Sequence, residues 1–341
     1  MEFRCPSCGA AMRWDFDNQH LCCDYCGHHE LPLSKNDVRK MTGSDAPDPA
    51  TCPSCGAPLP EDPTTIAHVC PYCGDSLTMS HRIGQSRIVG IVPIKFTKRQ
   101  MFDLLMRKYS NKLCLVPDIF SEDRLKEVQT EFIPYRVYDA SGDVWYRGEL
   151  TATKTTGDSE TISTYDASLA AKVAYSDITI LATDRVPDEV SLALEPFDLE
   201  EAMHFAEPYL AGSVCHLPNT DPQGDYEKID SEALDKSWKA LYTPGRIACA
   251  YVTPDDEPLK HDYQRNITAT ARGTYLLPVY QYSYRMRNGR VLAYYLNAQT
   301  QEVFGQAPID RGRVALASVS LAFMAASIVA LALAVLLMIG G

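Results

Sequence analysis

Eight of the twelve cysteines form two copies of one metal-binding pattern. Each copy has a CxxC pair, fourteen residues and a second CxxC pair, and the second copy begins 47 residues after the first. Two CxxC pairs at this spacing are typical of a four-cysteine zinc site, and the repeat argues against chance. We therefore predict two structural Zn2+ sites, whose metal ligands are Cys5, Cys8, Cys23 and Cys26 in the first copy, and Cys52, Cys55, Cys70 and Cys73 in the second.

The duplication also decides which of two adjacent cysteines binds the metal. Cys23 aligns with a cysteine of the second copy, whereas Cys22 aligns with Val69. We assign Cys23 to the metal and interpret Cys22 as a small packing residue. His28 and His29 lie outside the repeated positions, and we interpret them as a solvated pair rather than as competing ligands.

The metal interpretation requires reduced cysteines, and the start of the chain is consistent with that. A disulfide framework is the alternative for the eight cysteines, but disulfides belong to oxidising compartments. The chain opens with Met1-Glu2-Phe3-Arg4 and has no apolar segment of the kind that a secretory signal needs. We therefore expect the N-terminal part to be cytoplasmic.

The charge balance argues against nucleic acid as the partner of the ribbons. The chain has a formal net charge of −12, and residues 1–80 contain five Lys or Arg against eleven Asp or Glu, a net charge of −6. Binding to phosphates depends on Lys and Arg, so an acidic ribbon pair gains little from releasing counterions. Nucleic-acid binding is thus the alternative function, and protein partners are favoured.

After the ribbons the pattern changes to alternating strands and amphipathic helices. One helix is predicted to begin near Lys98 and to end at Tyr109, with its apolar residues on one face. Hairpin turns are predicted at Ser141-Gly142-Asp143 and at Asn288-Gly289. The predicted divisions are zinc ribbon 1 at 1–33, a linker at 34–50, zinc ribbon 2 at 51–80, a mixed α+β domain at 86–308 and a transmembrane helix at 314–338.

The last of these divisions is predicted from hydrophobicity alone. The 25 residues of 314–338 contain no charged residue. A helix of that length reaches about 37 Å, which exceeds a hydrocarbon core of about 30 Å. Arg311 and Arg313 precede the span, and the positive-inside rule then keeps the N-terminal part cytoplasmic. We therefore expect a tail-anchored, single-pass protein of the cell inner membrane, and a fold class of α+β with two N-terminal zinc ribbons and one C-terminal transmembrane helix.

The sequence contains no catalytic pattern that we recognise. It lacks the phosphate loop GxxxxGK[ST], GxGxxG, HExxH and GxSxG. Cys215-His216 is a Cys–His neighbour pair, but adjacent residues of a strand point to opposite faces. The prediction is that the protein is not an enzyme and has no small-molecule substrate that the sequence identifies; an enzyme with an unrecognised site in the α+β domain is a further alternative.

Three blocks beyond the cysteines resemble a known family. They are Pro196-Phe197-Asp198, the segment from Phe205 to Gly212, and a late block that contains Leu277-Pro278-Val279-Tyr280 and Tyr295-Leu296-Asn297-Ala298-Gln299-Thr300-Gln301-Glu302-Val303-Phe304-Gly305. With the ribbons, they resemble bacterial TFIIB-type zinc-ribbon membrane proteins, which are often labelled primosomal-helicase-like. Ala298 and Gln301 replace the glycines that are usual in that family.

The resemblance implies no established enzymatic activity. Such proteins look to be encoded beside phage-shock-protein-like components of membrane stress and to help tether them to the membrane. The helicase label is not supported, because a helicase needs the phosphate loop that this sequence lacks. The functional prediction is therefore a membrane-anchored zinc-ribbon scaffold or tether, with the membrane and proteins as partners.

Overall fold

A computed structural model describes the chain at residues 2–30, 48–59, 61–84, 86–109, 119–156, 159–229, 262–286, 288–309 and 311–339. At 146–156, 159–169, 171 and 262–265, and in the last helix at 311, 313, 317 and 329–339, it describes the backbone alone. The predicted linker at 34–50 therefore lies outside the described residues, except for its last three.

The two ribbons each contain a short strand pair. In the first, β1 (Arg13–Asp15) and β2 (His20–Cys22) form a separate two-stranded antiparallel sheet. In the second, β3 (Thr65–Val69) and β4 (Ser76–Thr78) also pair antiparallel, but they belong to the main sheet of the molecule. The second ribbon is therefore built into the central sheet.

That central sheet has ten strands in the described part of the chain. Besides β3 and β4, its strands are β5 (Ile88–Ile91), β6 (Gln129–Thr156), β7 (Ser159–Leu181), β8 (Met203–His204), β9 (Val214–His216), β10 (Asp262–Arg285), β11 (Val291–Asn297) and β12 (Val303–Gly305). The main path of the sheet runs in the order β12-β11-β10-β6-β9-β3-β4, with β7 paired to β6, β5 paired to β10, and β8 paired to β5.

Four α-helices have described bounds, and two of them cover the sheet. They are α1 (Ser80–Gly84), α2 (Lys98–Tyr109), α3 (Asp188–Leu194) and α4 (Arg311–Ile339). Short 3-10 turns lie at Glu122–Glu127, Leu199–Glu201, Glu207–Leu210 and Pro222–Gly224. The predicted helix at 98–109 is confirmed. Thr97 caps its start, because the Thr97 N–H donates to the Gln100 side-chain oxygen and the Gln100 N–H donates to the Thr97 hydroxyl.

Alternation along β10 divides the core between the two sheet faces. Tyr280 and Tyr282 belong to the cluster that contains the apolar side of α2, and the Tyr282 ring lies edge-on to Phe102 at 5.0 Å. Leu277 and Val279, one residue out of phase, belong to the cluster that contains α3. Ribbon 1 packs on β6 and β10 in a third cluster, which contains Trp14, Phe132 and Leu276. Leu276, Tyr280 and Tyr282 are separated by even numbers of positions along β10, so their side chains lie on one face of the sheet. Ribbon 1 and α2 therefore pack on the same face.

One of the two predicted hairpins is confirmed and the other is wrong. Asn288-Gly289 joins β10 to β11, and Gly289 has the positive φ of 82° that such a turn needs. Ser141-Gly142-Asp143 lies in the middle of the continuous strand β6 instead. A Cβ on Gly142 would lie 2.0 Å from the backbone oxygen of Asn266 in β10. This glycine therefore permits a close approach of two strands, not a turn.

The predicted transmembrane helix is also corrected. Across the described part of the chain, no helix is both long and apolar enough to cross a membrane. As far as the described residues reach, the transmembrane helix at 314–338 and the tail-anchored, single-pass location in the inner membrane are therefore wrong.

Candidate metal centres and their junction

The four cysteines of the first ribbon converge on one point. The sulfurs of Cys5, Cys8, Cys23 and Cys26 all lie within 4.8 Å of one another. The Cys5 and Cys26 sulfurs are 3.5 Å apart, and those of Cys8 and Cys23 are 3.6 Å apart. One cysteine of each CxxC pair is buried and the other is exposed.

The second ribbon repeats this geometry. Cys52, Cys55, Cys70 and Cys73 form the second group of four sulfurs within 4.8 Å. The Cys52 and Cys73 sulfurs are 3.7 Å apart, and the Cys55 and Cys70 sulfurs are 3.8 Å apart. The same burial pattern recurs, so the sequence repeat is also a repeat in three dimensions.

Both groups have the size of a tetrahedral metal site. A tetrahedron with metal–sulfur bonds of about 2.3 Å has edges of roughly 3.8 Å, close to the separations of 3.5 to 3.8 Å observed here. The donor set is thiolate alone, which favours soft or borderline cations. The two groups can therefore hold two metal ions, with every position of a four-coordinate shell filled by protein.

Backbone amides donate hydrogen bonds to the cysteine sulfurs and favour the thiolate form that binds a cation. Each CxxCG turn ends in a glycine with φ between 72° and 76°, which lets the chain fold back around the sulfurs. Burial alone would raise the pKa of Cys5, but hydrogen bonds from the N–H groups of Cys8 and Ser7 and from the neighbouring thiols lower the pKa of Cys5 to about 6. The pKa of Cys8 is raised to about 12, because burial and the neighbouring sulfurs outweigh the amide of Ala10. Four thiolates this close repel one another, and a bound cation removes that repulsion.

The structure also shows which of the neighbouring cysteines and histidines belong to the metal group. Cys23 is in the group of four, and Cys22 is not. The Nδ1 of His28 and the Ser7 hydroxyl oxygen are hydrogen-bonded at 3.1 Å. The ring of His29 stacks on that of His20. Neither histidine belongs to a described metal group.

A buried carboxylate joins the two ribbons. Asp75 follows the last cysteine of ribbon 2 and is only 4% exposed. Its side chain accepts hydrogen bonds from Ser54 in ribbon 2 and from both Nε and a terminal nitrogen of Arg4 in ribbon 1, the latter two at 3.2 Å. The hydrogen bond to Asp75 is the main cause that raises the pKa of Arg4, and the nearby Cys73 contributes. A cation from ribbon 1 thus lies beside the sulfur cluster of ribbon 2.

Further contacts fix both ribbons to the rest of the molecule. The completely buried side chain of Glu207 accepts hydrogen bonds from Thr78 of β4 and Ser80 of α1. In ribbon 1, the Trp14 amide donates to the Ala211 carbonyl at 3.2 Å. These contacts attach the ribbons to the same 207–211 segment.

Two tyrosines, one in each ribbon, point outward. Tyr25 is 84% exposed and Tyr72 is 73% exposed, and the 47-residue repeat aligns them with each other. Each is the third residue of a CxxC pair, so it lies between two metal-ligand cysteines in the sequence. We did not single them out from the sequence, although an aromatic residue repeated inside two metal knuckles is a readable signal.

The Cys–His neighbour pair lies in β9. Cys215 is completely buried, and burial raises the pKa of its thiol well above its ordinary value. Burial lowers the pKa of His216 to about 4, which keeps its ring neutral. A buried thiol is not an activated nucleophile, and this pair offers no catalytic arrangement.

Comparison with curated proteins finds a relative along nearly the whole chain. In all, 325 residues align at 31% identity with the "Uncharacterized protein YdjG" of Bacillus subtilis (strain 168), covering 92% of this chain and 92% of that protein. No protein-family model matches the chain, and no solved structure matches it. The relative is uncharacterized, so the resemblance to TFIIB-type zinc-ribbon membrane proteins stays a prediction.

Proposed function

The chain belongs to the same protein family as YdjG of Bacillus subtilis, and from that premise we propose that it is a zinc-ribbon scaffold that binds protein partners. The two four-sulfur groups support the zinc part of this proposal, because thiolate tetrahedra of this size are the usual structural zinc sites. A closed shell performs no reaction. The ribbons are therefore proposed to present surfaces.

The outward-pointing pair of tyrosines is the observation that carries the proposal. Tyr25 and Tyr72 are the two most exposed of the large apolar side chains among the described residues. Tyrosine is enriched at protein interfaces, where it contributes a large contact area with few rotatable bonds to immobilise. A metal-fixed knuckle further reduces the entropy that binding costs.

Charge supports a protein rather than a nucleic acid as the partner. Aromatic side chains also stack on nucleic-acid bases, but that mode normally needs a basic groove beside them. Here the ribbon region has a net charge of −6. The resemblance to proteins encoded beside phage-shock-protein-like components makes those components the first partner class to test.

The proposal is tested with a double variant in the full chain. Purified wild type, Tyr25→Ser/Tyr72→Ser and Leu192→Ser are immobilised in equal amounts and exposed to a cell extract, and the bound proteins are identified by mass spectrometry. Leu192 is a matched control, because it is 71% exposed but lies on α3. We expect the wild type and Leu192→Ser to recover the same partner, and the double variant to lose it while keeping its metal.

Two results would contradict the proposal. One is equal recovery of every protein by the double variant and the wild type. The other is recovery of nucleic acid in place of protein, lost in the double variant and sensitive to salt, which would make the ribbons nucleic-acid readers.

A further inference from the structure

The contact between Arg4 and Asp75 also connects the two metal sites, because each residue belongs to a cysteine knuckle. Arg4 directly precedes the ligand Cys5, and the Cys5 amide donates to the Ala10 carbonyl at 2.8 Å. The backbone of Arg4 is bridged to Ala11 on the same turn. Because metal binding and folding are coupled in small thiolate sites, the position of Arg4 depends on the ion of ribbon 1.

Asp75 belongs to the knuckle of ribbon 2 through its backbone. Its carbonyl accepts a hydrogen bond from the Cys70 amide at 2.8 Å, and its own amide donates to the Cys73 sulfur. Its carboxylate accepts from Ser54, which lies inside the first CxxC pair of that ribbon. Asp75 therefore contacts both CxxC pairs of ribbon 2, and a shift of this residue disturbs the whole group of four sulfurs.

A short antiparallel contact holds the two knuckles side by side. Glu2 is bridged to Leu77, and counting along the two segments from this bridge places Arg4 opposite Asp75. A backbone hydrogen bond of 3.4 Å joins the residues that lie between these two pairs. The ion pair is thus the last member of a backbone interface between the ribbons, rather than a chance meeting of two long side chains.

The charge of Arg4 matters to the ribbon 2 site. A divalent ion held by four thiolates leaves the group doubly negative. Asp75 adds another negative charge that is only 4% exposed, and among the described residues Arg4 is the cation that pairs with it. Arg4 also lies 3.5 Å from a carboxylate oxygen of Glu2, but that side chain is 39% exposed and hydrated. Without Arg4, a buried carboxylate would lie uncompensated beside an anionic metal group, which is costly.

We propose that Arg4 couples the two metal sites, so that each ion is bound more tightly when the other is present. With ribbon 1 loaded, Arg4 is held opposite Asp75, and the ribbon 2 knuckle keeps its hydrogen bonds. With ribbon 1 empty, Arg4 is no longer fixed, and Asp75 loses its cation. Coupling between two binding sites is reciprocal, so loss of the ribbon 2 ion weakens ribbon 1 by the same factor. This coupling rests on the metal sites of the proposed function, and it needs no protein partner.

Zinc affinities of the full chain, measured by competition with a chelator of known affinity, test the coupling. The wild type has both sites, Cys8→Ser keeps that of ribbon 2, and Cys55→Ser keeps that of ribbon 1. For independent sites, the product of the two wild-type association constants equals the product of the single constants of the variants. We expect the wild-type product to be about tenfold larger. Structural thiolate sites bind zinc so tightly that a tenfold loss still leaves them filled.

Matched variants assign the coupling to the ion pair. In an Arg4→Gln background the two products should become equal. Asp75→Asn removes the carboxylate charge but keeps an oxygen that can accept from Ser54, and adding Arg4→Gln to it should change nothing further. Arg13→Gln is the control, because Arg13 Nε also donates to an aspartate inside a CxxC pair, Asp24 at 2.9 Å, but both residues belong to ribbon 1. This variant should keep the full coupling.

A conservative exchange separates the ion pair from general damage to the ribbons. Two nitrogens of Arg4 contact the same oxygen of Asp75, so the ammonium group in Arg4→Lys can replace them and should keep most of the coupling. Equal products in the wild type, full coupling in Arg4→Gln, or the same loss in Arg13→Gln would overturn the proposal. Two tightly bound zinc ions would in each case still support the proposed function, whereas a chain that binds no zinc would contradict both.

Discussion

At the scale of single residues, the choice between adjacent cysteines decides the metal chemistry. Cys23 contributes to a group of four sulfurs, whereas Cys22 ends β2 with its side chain outside that group. The difference between the two residues is one of position only, since both are thiols on the same short stretch. Replacing each in turn therefore separates loss of a ligand from general damage to the ribbon.

Elemental analysis of the purified protein tests this assignment. We expect about two zinc ions per chain in the wild type and about one in Cys8→Ser, because three thiolates hold zinc much more weakly than four. Cys22→Ser is the matched control and should keep both ions. Iron in place of zinc, or no metal with four disulfides, would show that the ribbons are not zinc sites.

The burial of Glu131 predicts that the fold loses stability as the pH rises. It lies in β6 between β9 and β10, and burial raises its pKa to about 7 from the ordinary 4.5. Because the folded state holds the proton more tightly than the unfolded state, the stabilisation is complete below about pH 4.5 and is lost as pH rises through 7. The neighbouring Cys215 and Tyr295 provide no positive charge to compensate the carboxylate.

Chemical denaturation at about pH 5 and pH 8 measures this loss. We expect Glu131→Gln to be more stable than the wild type at the higher pH by roughly 2 kcal/mol, and the difference to shrink at the lower pH. Glu302→Gln, at an exposed position, is the control and should follow the wild type at both values. A difference between Glu131→Gln and the wild type that does not change with pH would show that Glu131 ionises normally.

At the scale of elements, Gly142 determines whether β6 is one strand or two. Its hydrogen on Cα faces the β10 backbone, and a Cβ there would meet the Asn266 oxygen at 2.0 Å and carbon at 2.8 Å. These are backbone atoms, which cannot rotate away as a side chain does. Any larger residue must therefore push the two strands apart.

The change Gly142→Ala is expected to destabilise the fold by roughly 2–4 kcal/mol, measured as the free energy of unfolding. Gly84→Ala is the control, since a Cβ on Gly84 meets nothing within 4 Å. That change should be neutral or slightly stabilising. If Gly142 were a turn residue in a loop, as its sequence neighbours suggest, its replacement by alanine would cost much less.

The same glycine shows what the sequence can and cannot reveal. At Asn288-Gly289 the requirement is local, because the turn needs a positive φ, and the dipeptide predicts it. At Gly142 the requirement comes from Asn266, 124 residues away, so the local pattern resembles a turn. The metal ligands were predictable because their spacing repeats. The attachment of ribbon 1 to the rest of the molecule was not, because Trp14 and Ala211 lie 197 positions apart and only folding brings them together.

At the scale of the whole molecule, the ribbons are parts of one structure with the sheet. Strand β3 pairs with β9, and the Leu217 amide donates to the Thr64 carbonyl at 2.7 Å. Both ribbons contact the 207–211 segment, but at different residues: Thr78 of ribbon 2 donates to Glu207, and the Trp14 amide of ribbon 1 donates to the Ala211 carbonyl. Each metal site therefore supports a different group of hydrogen bonds in the remaining structure.

Hydrogen exchange of backbone amides distinguishes the two groups. In Cys55→Ser, which removes a ligand of ribbon 2, we expect the Leu217 amide to exchange at least tenfold faster, because β3 loses its metal-fixed support. In Cys8→Ser the acceleration should appear at Trp14 and be much smaller at Leu217. The two variants serve as controls for each other, since each removes one thiol and one metal ion. Unchanged exchange at Leu217 in Cys55→Ser would mean that the central sheet holds β3 without the metal, and that ribbon 2 is attached to the sheet but does not stabilise it.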